Sequence, residues 1–415
     1  MYNVEISPKK LSGKVVVPPS KSVAHRLLIC AALSHEESVI TNMLMSKDIK
    51  ATIESLVSLG AKITVHGDTV TVRGIKSPPP SAIIDCCESG STLRFVVPVA
   101  CALGVSAEFH GEGKLPERPI TPYISELTKY GISFDYNNTM PFSVSGKLTS
   151  GKFCIDGSIS SQFVTGLLFS LPLLDGDSEI IFTSRLESKP YVDITIDCLR
   201  KSGIEILETQ NGYFVKGLQK YRSINMAVEG DYSQSAFYYT ANLLGSDIEI
   251  TGLNGESVQG DKKIIEIVEK ICYYNKDKKS LSPFDIDASD IPDLVPILTV
   301  LASFCDGTSY LRNVSRLRIK ESNRLEAIAG CLNSLGGNVR EIGDNLEITG
   351  VESLSGGTVS SFNDHRITMS MAVAATRCKN KLLILNANCV EKSYPNFFSH
   401  YSQLGGIVNV INLEP

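Results

Sequence analysis

The sequence predicts an α/β fold built from six copies of one βαβαββ unit, three copies to each of two domains. Three observations predict it. A small polar cluster precedes an apolar helix six times, and these clusters recur after 69, 70, 72, 60 and 73 residues. Five of the six units carry a second, amphipathic helix that stops at a glycine, at Gly60, Gly131, Gly203, Gly336 and Gly405. The chain of 415 residues is also too long for one ordinary core, since single cores stop growing at about 250–300 residues. A repeat that buries only part of its own apolar surface needs neighbours, so three repeats per domain is the natural division.

The first unit opens on Lys14-Val15-Val16-Val17, a β-rich run that meets Pro18-Pro19. Two prolines continue neither a ladder nor a helix. Ser20-Lys21-Ser22 then caps the apolar helix that carries Leu27 to Leu33. The free N–H groups of that helix start, the two hydroxyls, Lys21 and Arg26 can face one anion. Ser22 and Arg26 are four apart and share a face. Taken alone, the stretch reads equally well as a capped helix with two solvated cations.

The design then recurs in order. Ser89-Gly90-Ser91-Thr92 precedes the helix at Leu93, Ser160-Ser161-Gln162 that at Phe163, and Asp231-Tyr232-Ser233-Gln234 that at Ala236. Asp290-Ile291-Pro292-Asp293 precedes Leu294, and Asn363-Asp364-His365-Arg366 precedes Ile367. These helices are apolar nearly all round and should lie buried against the sheets. Strands follow, such as Ser38-Val39-Ile40-Thr41, Glu179-Ile180-Ile181-Phe182 and Leu382-Leu383-Ile384-Leu385. Charged loops come next: Lys47-Asp48, Glu117-Arg118-Pro119, Ser188-Lys189-Pro190-Tyr191, Gln259-Gly260-Asp261, Lys320-Glu321-Ser322-Asn323-Arg324 and Lys392-Ser393-Tyr394-Pro395. Alternating strands then close most units as hairpins, as in Ala61 to Val65 turning at Gly67-Asp68 into Thr69 to Val72. The fourth unit lacks the glycine stop and ends in Tyr273-Tyr274-Asn275-Lys276. If the helices share one direction, up to twelve positive helix ends aim at one region. The expectation is anionic ligands, more than one, bound between the two halves.

Composition narrows the classes. A net charge of −5 argues against a general nucleic-acid or membrane-surface binder. The 11 scattered cysteines have no C-x-x-C spacing, which suits reduced thiols in a cytoplasm rather than a disulfide framework. The start lacks a signal-peptide pattern, and the longest apolar runs are cut by Pro98 and Pro172. Six histidines without partners at ligand spacing argue against a metal site, and the glycine-rich nucleotide motifs are missing.

The loops allow specific chemistry. Lys21, Arg94, Arg118, Arg324, Arg366 and Lys392 are cations at matching places in the repeat. Ser160, Ser161, Gln162, Ser188 and Tyr191 offer neutral hydrogen bonds to hydroxyl groups. Asp293 and Glu321 are carboxylates beside cations, able to move protons if their pKa values are perturbed. The mixture suits a polyhydroxylated phosphate ester plus a second anion. Each feature also has a plainer alternative. Arg316, Arg318, Lys320 and Arg324 with Glu321 and Glu326 could be a salt-bridged exposed face. Asp293 could only cap a helix, His365 could be structural, and Gly90 could serve only a turn.

In these motifs the chain closely resembles the 5-enolpyruvylshikimate-3-phosphate synthase family over essentially its whole length. Nine motifs carry the resemblance: Pro19-Ser20-Lys21-Ser22 with His25-Arg26, Ser89-Gly90-Ser91-Thr92-Leu93-Arg94, Glu117-Arg118-Pro119-Ile120, Ser160-Ser161-Gln162-Phe163, Ser188-Lys189-Pro190-Tyr191, Ile291-Pro292-Asp293, Lys320 to Arg324, Asn363 to Arg366, and Lys392-Ser393-Tyr394-Pro395. The resemblance implies an inside-out α/β barrel in two domains, residues 1–19 with 227–415 and residues 20–226, with the active site in the cleft between them. It implies transfer of the enolpyruvyl group of phosphoenolpyruvate to the 5-hydroxyl of shikimate 3-phosphate, without metal or organic cofactor, in a cytoplasmic monomer.

By the same resemblance, Lys21, Ser22, Arg26, Ser160, Ser161, Gln162, Ser188, Tyr191, Asp293 and Lys320 correspond to contacts with shikimate 3-phosphate. Lys21, Gly90, Arg94, Arg118, Gln162, Arg324, Arg366 and Lys392 correspond to the phosphoenolpyruvate side, where glyphosate competes. Lys21, Asp293, Glu321, His365 and Lys392 correspond to catalytic positions, with Asp293 as general base and Glu321 as general acid. Three positions depart from the pattern: Arg316 and Glu88 stand where neutral amides occur, and Asn323 where an acid is common. The sister enzyme that uses UDP-N-acetylglucosamine carries asparagine after its lysine, where this chain has Ser22, and a cysteine-bearing loop without a clear equivalent around Gly111 to Leu115. A non-catalytic binder of phosphorylated metabolites would not need both carboxylates.

Overall fold

An apolar helix is stable in water only when every side is covered, and this requirement shapes the protein. In the computed structural model, which describes residues 1–274 and 280–413, the six helices are Lys21–Leu33, Gly90–Leu103, Ser161–Ser170, Tyr232–Leu243, Val295–Ala302 and His365–Ala374. Leu28, Ile29, Val96, Val97, Leu167, Leu168, Ile297, Leu298, Ile367 and Met369 are all fully buried. In five of the six, a side-chain oxygen caps the first turn: Ser20, Ser89, Ser160, Asp231 and Asp364 each accept from a backbone N–H. The exception is Asp293, which sits in the short turn Pro292–Leu294 and makes no cap bond. Its side chain is engaged elsewhere, so the capping alternative is set aside.

Pro98, which interrupts an apolar run in the sequence, does not end its helix. It lies inside Gly90–Leu103. A helical proline leaves the carbonyl four residues earlier without a donor, and here that carbonyl, Arg94 O, accepts the Tyr123 hydroxyl at 2.7 Å. The same hydroxyl reaches Phe163 O at 2.9 Å, tying this helix to Ser161–Ser170. Gly166 permits the close approach, because a Cβ there would lie 2.8 Å from the Pro98 ring.

The chain divides into two compact units, Met1–Pro18 with Gly230–Pro415, and Pro19–Glu229. Within Pro19–Glu229 three four-stranded sheets repeat one pattern, a parallel pair followed by an antiparallel hairpin. Ser81–Asp85 pairs in parallel with Ser106–His110, which is antiparallel to Phe142–Gly146, with Ile132–Asp135 at the edge. Lys152–Ile155 begins the second sheet in the same way. In the other unit, Asp285–Asp287 and Thr308–Arg312 begin a fourth copy of the pattern.

Two departures from a simple tandem repeat position the ends. Ser12–Val16 leads into the helix Lys21–Leu33 yet pairs in parallel with Asp247–Thr251, which belongs to the fourth repeat. Asn225–Ala227 leads into Tyr232–Leu243 yet pairs in parallel with Glu37–Thr41 of the first. The first and fourth repeats have therefore exchanged opening strands at Pro18-Pro19 and Glu229-Gly230. The N-terminal strand Tyr2–Ser7 completes the sixth repeat, between Leu382–Leu385 and Ile407–Asn412. The fourth repeat is followed to Tyr274; Asn275 and Lys276 of its expected ending lie outside the described residues. Among the described residues no helix is long and apolar enough to cross a membrane.

Candidate active site

Within Pro19–Glu229 the expected residues gather at helix starts. Lys21, the first residue of its helix, places Nζ 2.7 Å from Asp48 Oδ2. Asp48 is in the first turn of Lys47–Ser58, where a helix favours a carboxylate. Arg26 is buried. It donates from Nε to Thr195 Oγ1 at 2.8 Å, from Nη1 to Ser22 O at 2.6 Å and from Nη2 to Tyr191 O at 2.8 Å. Its guanidinium carbon lies 5.1 Å from the Phe95 ring centroid. Burial pulls its pKa down to about 10, which leaves it cationic at neutral pH. Ser188 is buried with φ 54° before Lys189–Lys201, and its carbonyl accepts from Tyr191 N at 3.0 Å.

Gly90 begins its helix under two arginines. A Cβ added there would lie 2.5 Å from Arg118 Nη1, 2.9 Å from Arg94 Nη1 and 3.6 Å from Gln162 Oε1. Arg94 Nη1 donates to Gln162 Oε1 at 2.9 Å, and Gln162 Nε2 donates to Ser91 Oγ at 3.0 Å. Ser160 caps the helix that Ser161 begins, and Ser161 is buried. Two guanidiniums over a glycine at a helix N-terminus have the chemistry to hold an anion, and a glycine lets the backbone come close to one. Glu88 lies against Gly113, where an added Cβ would strike its carboxylate.

Behind these groups runs a buried chain of hydrogen bonds. His25 Nδ1 meets Thr52 Oγ1 at 2.7 Å, Thr52 meets Thr92 Oγ1 at 2.7 Å, and Thr92 donates to the capping Ser89 at 2.8 Å. Burial, then Lys21 and Arg26, push the His25 pKa well below its ordinary value, so the ring is neutral. The helix that carries Lys21 is thereby linked to the one that Gly90 begins.

Within the other unit one arginine organises the chemistry. Arg324, 1% exposed, donates from Nη1 to Asp293 Oδ1 at 2.9 Å, from Nη2 to Glu321 Oε2 at 2.6 Å and from Nε to Asp364 Oδ2 at 2.8 Å. Arg366 adds Nη2 to Asp293 Oδ2 at 2.6 Å and Nη1 to Asp293 O at 3.1 Å. Burial raises the Asp293 pKa, but Arg366, Arg324 and Lys320 outweigh it and hold the carboxyl well below the usual carboxylate range. Burial lowers Lys320 to about 8 against the pull of Asp293. Lys392 is buried and donates to Asn363 O at 2.7 Å. His365, also buried, is the first residue of its helix.

The salt-bridged exposed face fits only part of its stretch. Arg318 pairs with Glu341 and Asp344 near the surface, whereas Arg324 turns inward. Three carboxylates escaped the sequence reading as site groups: Asp48, Asp364 and Asp261. Each was visible at a helix start, but that position is shared by ordinary caps, and only the fold shows which cation each one meets.

The comparisons follow the same pattern. The family model described as EPSP synthase (3-phosphoshikimate 1-carboxyvinyltransferase) matches residues 6–401. A 3-phosphoshikimate 1-carboxyvinyltransferase of Clostridium perfringens is 45% identical over 98% of this chain and 99% of its own. That of Clostridium beijerinckii is 44% identical over the whole of both chains. Among solved structures, an EPSP synthase from Acinetobacter baumannii superposes with a TM-score of 0.83 at 22% identity, over 99% of this chain and 100% of that one. The enolpyruvyl transferase NikO from Streptomyces tendae reaches 0.76 at 16% identity, over 100% of this chain and 99% of its own. These last two share the six-repeat fold. By family model and by close relatives alike, the chain belongs to the EPSP synthase (3-phosphoshikimate 1-carboxyvinyltransferase) family.

Proposed function

We propose that the two clusters divide between them the work of transferring the enolpyruvyl group of phosphoenolpyruvate to the 5-hydroxyl of shikimate 3-phosphate. The reaction belongs to the shikimate route to aromatic amino acids. Arg26, Ser22, Tyr191, Ser188, Ser160, Ser161, Gln162 and Lys320 take the acceptor. Gly90, Arg94, Arg118, Arg324, Arg366 and Lys392 take phosphoenolpyruvate, and Lys21 serves both. Two anions repel each other, so fixed cations must hold them side by side before reaction. Glyphosate, a small anion, competes at the cations around Gly90. The 11 free thiols suit a cytoplasmic setting.

In the first step the 5-hydroxyl oxygen bonds to C2 of phosphoenolpyruvate, its proton passes to Asp293, and Glu321 protonates C3. The resulting tetrahedral intermediate breaks down as C3 loses a proton, the C2–O bond to phosphate breaks and phosphate departs. Lys21 and Lys392 stabilise the charge that develops on it. The observation that carries this reading is the Asp293 carboxylate, with each oxygen on a different arginine. As it stands Asp293 is a weak base. A substrate carboxylate that occupies Arg324 and Arg366 removes the two charges that hold its pKa down, so the base is freed by the substrate it serves.

The test is phosphate release with shikimate 3-phosphate and phosphoenolpyruvate. The unmodified enzyme should turn over, and Lys21→Met, Asp293→Ala and Glu321→Ala should lose turnover while remaining folded. Release with UDP-N-acetylglucosamine as acceptor, or binding of both substrates without turnover, overturns the reading.

A further inference from the structure

Two loops that carry residues assigned to shikimate 3-phosphate are joined by a carboxylate that the mechanism does not use. Lys152–Ile155 and Ser178–Phe182 are neighbouring parallel strands, and the chain leaves both at the same end. Ser160 follows Asp156 by four residues on one exit, and Ser188 follows Ser184 by four on the other. Past the last ladder pair a sheet no longer holds such exits together, yet here they stay joined. Thr183 N donates to Ile155 O at 3.0 Å, and Glu187 N to Gly157 O at 3.1 Å. Between these bonds, Asp156 Oδ1 accepts from Ser158 N at 2.9 Å, from Ser158 Oγ at 2.6 Å and from the Ser184 hydroxyl. Ser158 N also donates to Ser184 Oγ at 3.1 Å. The two backbones touch, since a Cβ added to Gly157 would lie 2.8 Å from Leu186 Cα and 2.9 Å from Arg185 O.

We propose that Asp156 is a positioning residue for the acceptor, its carboxylate clasping the loop before Ser160 and Ser161 to the loop before Ser188 and Tyr191. The proposal rests on the assignment of those four residues to shikimate 3-phosphate. A charged acceptor makes stronger hydrogen bonds than a neutral one. The Ser158 hydroxyl, then the Ser184 hydroxyl and the Ser158 amide, hold the Asp156 pKa below its ordinary value, so the clasp keeps its charge at neutral pH. Without it, the ordering of two loops falls on the incoming ligand and is subtracted from its affinity. The donor side is held separately. Gln162, at the start of the helix that Ser160 caps, is fixed by Arg94 at 2.9 Å and by Ser91 at 3.0 Å. Asp156 therefore acts through its two loops, and on one substrate rather than both.

The test follows shikimate 3-phosphate binding by calorimetric titration, together with kcat and the KM of each substrate. Asp156→Ala should weaken shikimate 3-phosphate binding by roughly tenfold or more, the range for losing hydrogen bonds to a charged group. Its KM should rise in step, while the KM for phosphoenolpyruvate stays level. Asp156→Asn keeps an accepting oxygen and should recover part of the loss. Gly157→Ala leaves the carboxylate in place but pushes the two backbones apart, and should weaken the same substrate. Ser184→Ala, the mildest change, removes one donor and should act in the same direction by less, so the idea stays testable if Asp156→Ala fails to fold. If Asp156→Asn and Ser184→Ala both bind shikimate 3-phosphate as the unmodified protein does, or if the KM values of both substrates rise together, the proposal is overturned. An unmodified protein that does not bind shikimate 3-phosphate would instead sink the functional reading on which it rests.

Discussion

Arg366 Nη2 lies 2.6 Å from Asp293 Oδ2, so the group assigned to take a proton is bound to a group assigned to take the substrate. Asp293→Asn should lower kcat by roughly 10²–10⁴-fold, the usual range for a general base. Because it also releases both arginines, the KM for phosphoenolpyruvate should stay level or fall. Steady-state kinetics against both substrates check this, and a raised KM with unchanged kcat would contradict it.

Arg324 carries a second consequence. Its single guanidinium neutralises Asp293, Glu321 and Asp364 in an interior where an unpartnered charge is costly. Arg324→Ala should destabilise the fold by roughly 3–5 kcal/mol, the range for breaking a buried pair from one side. The Asp293 pKa is depressed in the folded state, so the stability from this cluster is complete above the unfolded carboxylate value and is lost as pH falls below about 4. Urea unfolding at pH 7 and pH 3 should show a smaller acid loss in Asp293→Asn than in the unmodified protein.

His25 gives the opposite test, on a group that must stay neutral. Its folded-state pKa lies well below 6.5. The unfolded chain therefore binds a proton that the folded chain refuses, and stability falls as pH drops below about 6.5, by up to about 1.4 kcal/mol per pH unit. His25→Asn should lack that slope, which urea midpoints at pH 7.5 and 5.5 would reveal. A slope equal to that of the unmodified protein would show that His25 is not its source.

Gly90 offers a steric test. The methyl of Gly90→Ala would press on Arg118 and Arg94 head groups at 2.5 and 2.9 Å, both flexible ends that can retreat. The melting temperature should change little, while the KM for phosphoenolpyruvate rises several-fold as the two cations leave their places. Glyphosate should compete with phosphoenolpyruvate in the unmodified enzyme. Inhibition that is independent of phosphoenolpyruvate concentration would remove that ligand from this site.

The periodic features were legible because they are local. Apolar helices after Ser20, Ser89, Ser160 and Asp231 announce themselves through caps and composition, and so do the glycine stops. The cations at matching places, from Lys21 to Lys392, followed from the same register. What the sequence hid depends on distant segments. Nothing local tells Ser12–Val16 to pair with Asp247–Thr251, or Tyr2–Ser7 to enter a sheet with Leu382–Leu385. How Pro98 fits inside its helix was hidden too, because the hydroxyl that takes the freed Arg94 carbonyl, that of Tyr123, lies 25 residues beyond the proline. The charge states of Asp261, Asp293 and Lys320 depend on burial and neighbours together, and neither can be counted from spacing alone.

The exchanged strands bear on how the protein is made. Pro19–Glu229 holds every strand of its own three sheets, and can complete its core as soon as that stretch has left the ribosome. Met1–Pro18 is made before its partners, the strands near 250, 383 and 410. Ser12–Val16 finds its partner only once Thr251 has been made, and Tyr2–Ser7 only once the strands at 382–412 have followed. Chaperone dependence during synthesis should therefore concentrate on the unit made of Met1–Pro18 and Gly230–Pro415 rather than on Pro19–Glu229.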